Sequence, residues 1–115
     1  MSKRDWSLFL HDMLESIGNI AQYTSGMGFQ DFLKDTRTRD AVVRNLEVLG
    51  EAARRIPDDI RERYPEIPWA QIVGLRNRLI HGYFLVDYGI VWEIVQNELC
   101  QLRRRLEQIM QEVSG

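Results

Sequence analysis

The sequence of 115 residues is poor in several features, and each shortage excludes a class of protein. Cys100 is the only cysteine, which excludes an internal disulfide and a zinc site built on cysteines, and favours a reducing compartment. No stretch approaches the roughly 18 apolar residues of a membrane span, and the N-terminal residues do not form a signal peptide. We therefore expect a cytoplasmic protein without a membrane segment.

An excess of positive charge is also lacking, because 15 Lys and Arg residues face 17 Asp and Glu residues, a formal net charge of −2. No overall positive field attracts nucleic acid, so any nucleic-acid binding must depend on a local positive cleft and weaken as salt rises. Lysine itself is scarce, since Lys3 and Lys34 are the only lysines and the other cations are arginines. Arginine is the side chain suited to forked contacts with carboxylates and phosphates.

Alternation of apolar and polar residues with period two, which is typical of half-buried strands, is absent as well. Apolar residues instead recur at three- and four-residue steps. This spacing predicts four main helices, over about residues 5–23, from Thr36 or Thr38 to Ile56, over 68–81, and from Asp87 to Val113. Residues 29–33 and 58–64 are expected to form short helices. The predicted fold is all-α, an up-down bundle of four main helices plus one or two short ones, in a single domain covering residues 1–115.

Small residues and proline refine this prediction. Pro57 ends the second helix because proline cannot continue the hydrogen-bond ladder, and Gly82 can take the left-handed conformation that ends the third. Gly50, Ala52 and Ala53 are small, so another helix is expected to approach the second helix closely there.

The most informative stretch is 74–83, GLRNRLIHGY, which concentrates hydrogen-bond donors in an otherwise apolar helix and its end. Asn77 and His81 are four residues apart, so on a helix the amide could hydrogen-bond the imidazole and fix its tautomer. Arg76 and His81 are separated on a helix by a rise of about 7.5 Å and point about 140° apart. Both can reach one phosphodiester only if the site is concave or if His81 lies where the helix frays.

These residue types suit cleavage of RNA without a metal or cofactor. A neutral imidazole takes the proton of the 2′-OH or protonates the leaving oxygen, and a guanidinium stabilises the charge on phosphorus. The reaction needs an acid as well as a base, and His11 and His81 are the only histidines, so a symmetric homodimer would supply the second group. From the residues alone a structural interpretation stays open, in which Arg76 and His81 stabilise a helix end and Arg78 pairs with a neighbouring acid.

Arg76, four intervening residues, His81, one residue and Tyr83 form an R-x4-H-x-Y pattern. This pattern resembles that of the HepT-like toxins within the HEPN superfamily, in which the arginine is usually followed by a polar residue, here Asn77. The similarity extends over nearly the whole chain, through segments 6–20, 45–53 and 67–77. The bare R-x4-H pattern has little specificity, and it gains its specificity from this full context.

The resemblance implies a homodimeric helical bundle in which two Arg–His motifs line a shared cleft and cleave cellular RNA such as tRNA without a metal. Arg76 and His81 are then the catalytic pair, and Asn77 is a supporting residue. The resemblance also implies a type VII toxin–antitoxin system, whose antitoxin is an MNT-type nucleotidyltransferase that transfers AMP from ATP to Tyr83. A bulky anion on Tyr83 would occupy Arg76 and repel an RNA phosphate beside His81.

For several residues, and for the chain as a whole, the sequence leaves more than one interpretation open. Glu51 is expected to approach the Arg–His site as an orienting carboxylate, since a buried acid seldom lacks a partner. The run from Arg103 to Arg105 is a solvated basic face or a track for an RNA backbone, and Tyr83 is a modification acceptor or an aromatic cover for the helix end. The chain as a whole is alternatively a non-catalytic nucleotide- or partner-binding subunit of a minimal nucleotidyltransferase complex, or a structural helical adaptor.

Overall fold

A computed structural model confirms the all-α fold and describes residues 3–81 and 85–114, with the side chains of 6–80 and 85–114. Two short strands, β1 (Ile80–His81) and β2 (Leu85–Val86), pair in antiparallel fashion. No helix in the described ranges is long and apolar enough to cross a membrane. The helices are α1 (Lys3–Thr24), α2 (Phe29–Lys34), α3 (Thr36–Arg55), α4 (Asp58–Arg63), α5 (Trp69–Val73), α6 (Leu75–Leu79), α7 (Tyr88–Asn97) and α8 (Leu99–Ser114).

The two longest helices, α1 and α3, pack along each other. The apolar stripes that predict these helices are buried between them and against α8. Because burying a large apolar side chain contributes about 1.5–3 kcal/mol, the stripes stabilise the pairing of the helices. The buried residues are Trp6, Leu10, Met13, Ile17 and Ile20 on α1, and Val42, Leu46, Leu49 and Ala53 on α3.

A pair of amide side chains also joins α1 to α3. Nδ2 of Asn19 donates to Oδ1 of Asn45 at 3.2 Å, and Nδ2 of Asn45 donates to the carbonyl oxygen of Ala41 at 2.8 Å. Both asparagines are half-buried. A buried polar group without a partner costs about 1–3 kcal/mol, so these contacts remove a penalty that the two amides would otherwise impose.

The first turn of α3 has a side-chain cap. Oδ1 of Asp35 accepts a hydrogen bond from the backbone N–H of Thr38 at 3.1 Å. This bond favours the charged carboxylate and holds the pKa of the Asp35 carboxyl below its ordinary value of 3.8. At its other end α3 stops at Arg55, as Pro57 predicts.

The helix predicted over 68–81 is instead two short helices followed by a strand. Gly74 separates α5 from α6, and glycine is a poor helix former, by about 1 kcal/mol relative to alanine. Ile80 has extended backbone angles, φ −110° and ψ 124°, and the backbone N–H of Asp87 donates to the carbonyl oxygen of Leu79 at 2.8 Å. The chain thus leaves the helix two residues earlier than predicted, because pairing with β2 satisfies its backbone groups.

The last predicted helix is likewise divided, into α7 and α8. Its start is as predicted, since Oδ1 of Asp87 accepts a hydrogen bond from the backbone N–H of Ile90 at 3.1 Å. The division falls at Glu98, whose φ of −113° departs from helical values. The apolar spacing does not reveal this division, because the residues before and after Glu98 keep one helical pattern.

The predicted close approach to α3 is confirmed at Gly50. A Cβ at this position would lie 2.9 Å from the carbonyl oxygen of Ile72 in α5, so any side chain would force the backbones apart. The crossing of α5 over α3 at Gly50 brings α6, which follows directly, beside the polar side of α3.

Candidate functional site

A pocket of about 650 Å³ lies between α1, α3 and the start of α6. This volume is within the range of about 300–1,000 Å³ that is usual for ligand sites. Its polar lining comes mainly from α3, with smaller contributions from the other two helices. The charged and amide residues that line it are Asp12, Arg44, Glu47, Glu51, Arg54, Arg55, Arg76 and Asn77.

Arg76 and Asn77, two of the predicted site residues, lie in the first turn of α6 and line this pocket. Both side chains are exposed. Within residues 3–81 and 85–114 neither side chain forms a hydrogen bond or an ion pair. A guanidinium without a partner at the wall of a pocket is available to an anionic ligand.

Arg78, two residues further along α6, has a different environment. Its Nη1 and Nη2 donate to the two carboxylate oxygens of Glu98 at 3.2 and 3.0 Å. The hydrogen bonds that it donates to Glu98 raise the pKa of the Arg78 guanidinium above its ordinary value. The expected pairing of Arg78 with a neighbouring acid is therefore confirmed, and the same structural interpretation does not extend to Arg76.

Glu51 lines the same pocket as Arg76 and Asn77. It is not the buried acid that the sequence predicts, because its side chain is half accessible to solvent and lies on the polar side of α3. Its Oε1 accepts a hydrogen bond from Nε of Arg55 at 3.3 Å, one helical turn away. Glu51 therefore shares a pocket with Arg76 but is exposed, whereas the sequence analysis expects a buried acid, and its role as an orienting carboxylate stays a prediction.

The structure describes the backbone of His81 but not its side chain, and Tyr83 lies outside the described residues. The backbone of His81 lies in β1 opposite Leu85, while its side chain, Gly82 and Tyr83 lie outside the described residues. The sequence analysis predicts that Asn77 and His81 lie four residues apart on one helix. This prediction is wrong, because α6 ends at Leu79. His81 instead lies beyond the helix end, which is one of the two conditions for Arg76 and His81 to reach one phosphodiester.

Aromatic contacts hold the chain that follows the β1–β2 hairpin. The ring of Tyr88, at the start of α7, packs edge-on against Phe32 with centroids 6.3 Å apart. The guanidinium carbon of Arg39 lies 4.5 Å from the centroid of the same ring, a cation–π contact. These contacts tie the C-terminal side of the hairpin to α2 and α3.

Five charged pocket residues are not predicted by the sequence analysis as parts of the site: Asp12 on α1, and Arg44, Glu47, Arg54 and Arg55 on α3. Those on α3 lie on a polar helical face opposite its apolar stripe, a signal that indicates exposure but not a pocket. Although Asp12, Glu47 and Glu51 all line the pocket, no three His, Cys, Asp or Glu side chains in the described residues are grouped to hold a metal ion.

The arginines of α8 lie outside this pocket and have partners within the chain. Nη1 of Arg105 donates to the carbonyl oxygen of Glu66 at 2.7 Å, and Nε of Arg103 lies 4.0 Å from Oε2 of Glu107. Nη2 of Arg104 lies 3.7 Å from the Sγ of Cys100. These contacts favour the interpretation of the run as a solvated basic face.

Comparison with known proteins adds to this geometry. The family model described as "Ribonuclease HepT-like" matches residues 13–109, which include all five predicted site residues. The chain is 44% identical over 115 residues to "Putative RNase MJ1216" of Methanocaldococcus jannaschii, covering all of this chain and 95% of that protein. It is 39% identical over 107 residues to "Probable ribonuclease HepT" of Thermococcus cleftensis, covering 93% and 97% of the two chains. No solved structure matches the chain.

Proposed function

The chain belongs to the HepT-like ribonuclease family, and from this premise we propose that it is an endoribonuclease toxin that uses Arg76 and His81 to cleave cellular RNA. Family membership confirms the resemblance seen in the sequence and, with it, the assignment to an RNA-cleaving class of enzymes. The cleavage site, the RNA and the regulation belong to the proposal. Transfer RNA is the substrate that the resemblance favours.

The observation that carries the proposal is the contrast between Arg76 and Arg78. Arg78 is occupied by a forked contact with Glu98, whereas Arg76 and the adjacent Asn77 line a pocket and have no partner in the described part of the chain. A structural role requires contacts within the protein, and Arg76 makes none that is described. A role toward a phosphate requires the accessibility that Arg76 has.

In the proposed reaction, the imidazole of His81 takes the proton of an RNA 2′-OH, and the 2′ oxygen attacks the adjacent phosphorus. The guanidinium of Arg76 stabilises the negative charge that develops on the phosphoryl oxygens. The bond from phosphorus to the 5′ oxygen of the next nucleotide breaks, and that oxygen receives a proton. The products are a 2′,3′-cyclic phosphate end and a 5′-hydroxyl end, and Asn77 orients the phosphate or His81.

The proton for the leaving oxygen requires an acid, which we assign to His81 of a second copy of the chain. His11 is the other histidine, and it lies on α1 as an exposed side chain that does not line the pocket. A symmetric homodimer with two Arg76–His81 pairs in one cleft supplies both a base and an acid.

Neutralisation by a partner is a separate part of the proposal. An MNT-type nucleotidyltransferase antitoxin transfers AMP from ATP to the hydroxyl of Tyr83 with release of pyrophosphate. The added phosphate places negative charge two residues from His81, where it repels an RNA phosphate and competes for Arg76. Coexpression with the antitoxin is expected to raise the intact mass by one AMP, and Tyr83→Phe is expected to abolish that increase. An equal mass with and without the antitoxin would contradict this part.

Cleavage of total tRNA in EDTA by protein prepared without the antitoxin, with its intact mass verified, tests the central proposal. We expect the unsubstituted protein to cut and His81→Ala and Arg76→Ala to lose cleavage while keeping their folded structure. Cyclic phosphate ends on the products would identify attack by the 2′-OH.

The same experiment distinguishes ribonuclease activity from a second candidate function, that of a non-catalytic binding subunit. If the unmodified, folded protein cleaves no RNA but forms a stable complex with the nucleotidyltransferase, the chain is a non-catalytic binding subunit. This alternative is favoured by the same accessible Arg76, because a nucleotide phosphate suits it as well as an RNA phosphate.

A further inference from the structure

The arginines of this chain divide sharply by whether they have a partner. Most of those whose side chains are described contact a carboxylate, a carbonyl oxygen, a hydroxyl, a sulfur atom or an aromatic ring of the same chain. Among residues 6–80 and 85–114, the arginines whose side chains lack such a contact are Arg37, Arg44, Arg54 and Arg76. Arg37 lies outside the pocket between α1, α3 and α6, and the other three line it.

The placement of these arginines follows from the crossing of the helices. α5 crosses α3 at Gly50, and α6 with Arg76 follows directly. Arg44 precedes this crossing along α3 and Arg54 follows it, and the ten positions that separate them correspond to a rise of about 15 Å. At this separation a strand that passes Arg76 can contact each of the two side chains with a different phosphate.

The charges in the pocket favour an anionic strand over a protein segment. Glu51 is neutralised by Arg55 at 3.3 Å, which leaves Arg44, Arg54 and Arg76 facing Asp12 and Glu47. This local positive excess is the cleft that a chain of net charge −2 requires if it is to bind nucleic acid.

We propose that Arg44 and Arg54 bind RNA phosphates on either side of the one held by Arg76, so that α3 sets the path of the strand through the site. The inference rests on the proposed ribonuclease function and adds to it two residues that bind and position the substrate. Neither residue takes part in the proton transfers. Their loss is therefore expected to raise KM and leave kcat nearly unchanged.

Binding of a fluorescein-labelled, single-stranded 2′-O-methyl RNA tests the proposal, because this probe has no 2′-OH and is not cleaved. Arg44→Ala and Arg54→Ala are each expected to weaken binding about five- to tenfold and to reduce the slope of log K against log salt by about 0.7. Arg44→Lys and Arg54→Lys keep the charge and are expected to restore the slope. Arg37→Ala, an exposed arginine on the same helix outside the pocket, is the matched control and is expected to change neither quantity.

Cleavage of ordinary RNA and sedimentation of the same proteins separate the possible failures. If the unsubstituted protein cleaves RNA and a double variant that combines Arg44→Ala with Arg54→Ala binds and cleaves RNA like Arg37→Ala, the proposed function stands and this inference is overturned. If the double variant loses binding only because it no longer dimerises, the two arginines belong to an interface between copies, which also overturns it. If the unsubstituted protein neither binds nor cleaves RNA, the proposed function fails together with the inference.

Discussion

The paired helices α1 and α3 and the segment from α5 to β2 are built in opposite ways. The pair consists of two helices of 22 and 20 residues whose apolar stripes are almost completely buried. Between Trp69 and Val86 the described residues form two five-residue helices and two two-residue strands, and Arg76, Asn77 and Leu85 are exposed. The long helices derive their stability from burial, and the short elements leave Arg76 and Asn77 accessible.

This contrast teaches that substitutions in the two regions should affect different properties. A change in the helix pair is expected to lower the free energy of unfolding, and a change at the exposed groups is expected to lower activity at constant stability. The following predictions test that separation.

The largest expected effect is that of Arg76→Ala on RNA cleavage. Loss of a group that stabilises the charge of the transition state typically reduces the rate by a factor of about 10²–10³. The thermal unfolding midpoint is expected to stay unchanged, because Arg76 makes no described contact.

Arg78→Ala is the matched control for that substitution. It is expected to keep most of the cleavage activity and to lose at most about 1 kcal/mol of stability, since more than a third of each partner in the Arg78–Glu98 pair is solvent-exposed. Steady-state cleavage rates and thermal unfolding of both variants check the comparison. Equal losses of activity in the two variants would contradict the assignment of Arg76.

The helix pair is tested by Ile17→Ala in α1. Ile17 is buried against the core, so the substitution leaves a cavity and is expected to cost about 2–5 kcal/mol. Leu8→Ala, on the same helix, removes a leucine that is 62% exposed and is expected to change stability by no more than about 0.5 kcal/mol. Urea unfolding measures both, and similar midpoints for the two variants would show that the stripe is not the main source of stability.

The junction between the two regions is tested by Gly50→Ala. Its Cβ would meet the carbonyl oxygen of Ile72 at 2.9 Å, so α5 must move away, at a cost of about 1–3 kcal/mol. Because α6 follows α5, RNA cleavage is expected to fall as well. This variant is therefore the one expected to lower both stability and activity.

Gly18→Ala is the control for the junction. A Cβ there would lie 3.7 Å from Nη2 of Arg103, an ordinary contact, and alanine is the better helix former by about 1 kcal/mol. Thermal unfolding and cleavage assays of the two variants are therefore expected to give opposite changes in stability. A stable, fully active Gly50→Ala protein would show that the two helices are not constrained at this crossing.

The smallest effect is expected at the cap of α3, through pH. The pKa of Asp35 is lowered in the folded protein, so its contribution to stability is fully present above its unfolded value near 3.8 and is lost as the pH falls through the folded value. The difference in urea midpoint between the unsubstituted protein and Asp35→Ala is therefore expected to be constant near neutral pH and to vanish in acid. Asp40→Ala, outside the cap, serves as control, and a difference that persists in acid would exclude the carboxylate as its source.

The sequence predicts the helix pair well because each of its signals is local. The apolar stripes of α1 and α3 repeat over many turns, and Pro57 acts within one turn of the end of α3. The breaks at Gly74 and Glu98 are missed because the apolar spacing is the same on both sides of each break. Strands of two residues are too short to show a period at all.

The pocket shows the same division between local and distant information. Arg76 and Asn77 stand out in the sequence because polar residues interrupt an apolar helix. Arg44 and Arg54 do not stand out, because the small residues at Gly50 predict a close contact with another helix but do not identify α5 as that helix or place α6 beside the polar side of α3. Glu51 lines the same pocket, but the pattern of its neighbours in the chain does not show whether its side chain is buried or exposed.

The amide contact between Asn19 and Asn45 contributes to the width of a site that contains neither residue. A slip of α1 along α3 by one helical turn, about 5.4 Å, would separate the two side chains, so that the half-buried Asn19 amide and Oδ1 of Asn45 lose their bond while Nδ2 of Asn45 keeps its bond to Ala41. α1 also carries Phe9 and Asp12, which form the far wall of the pocket. The amide pair therefore favours one register of α1 along α3. The pocket, whose width depends on that register, lies two to three helical turns away from the pair.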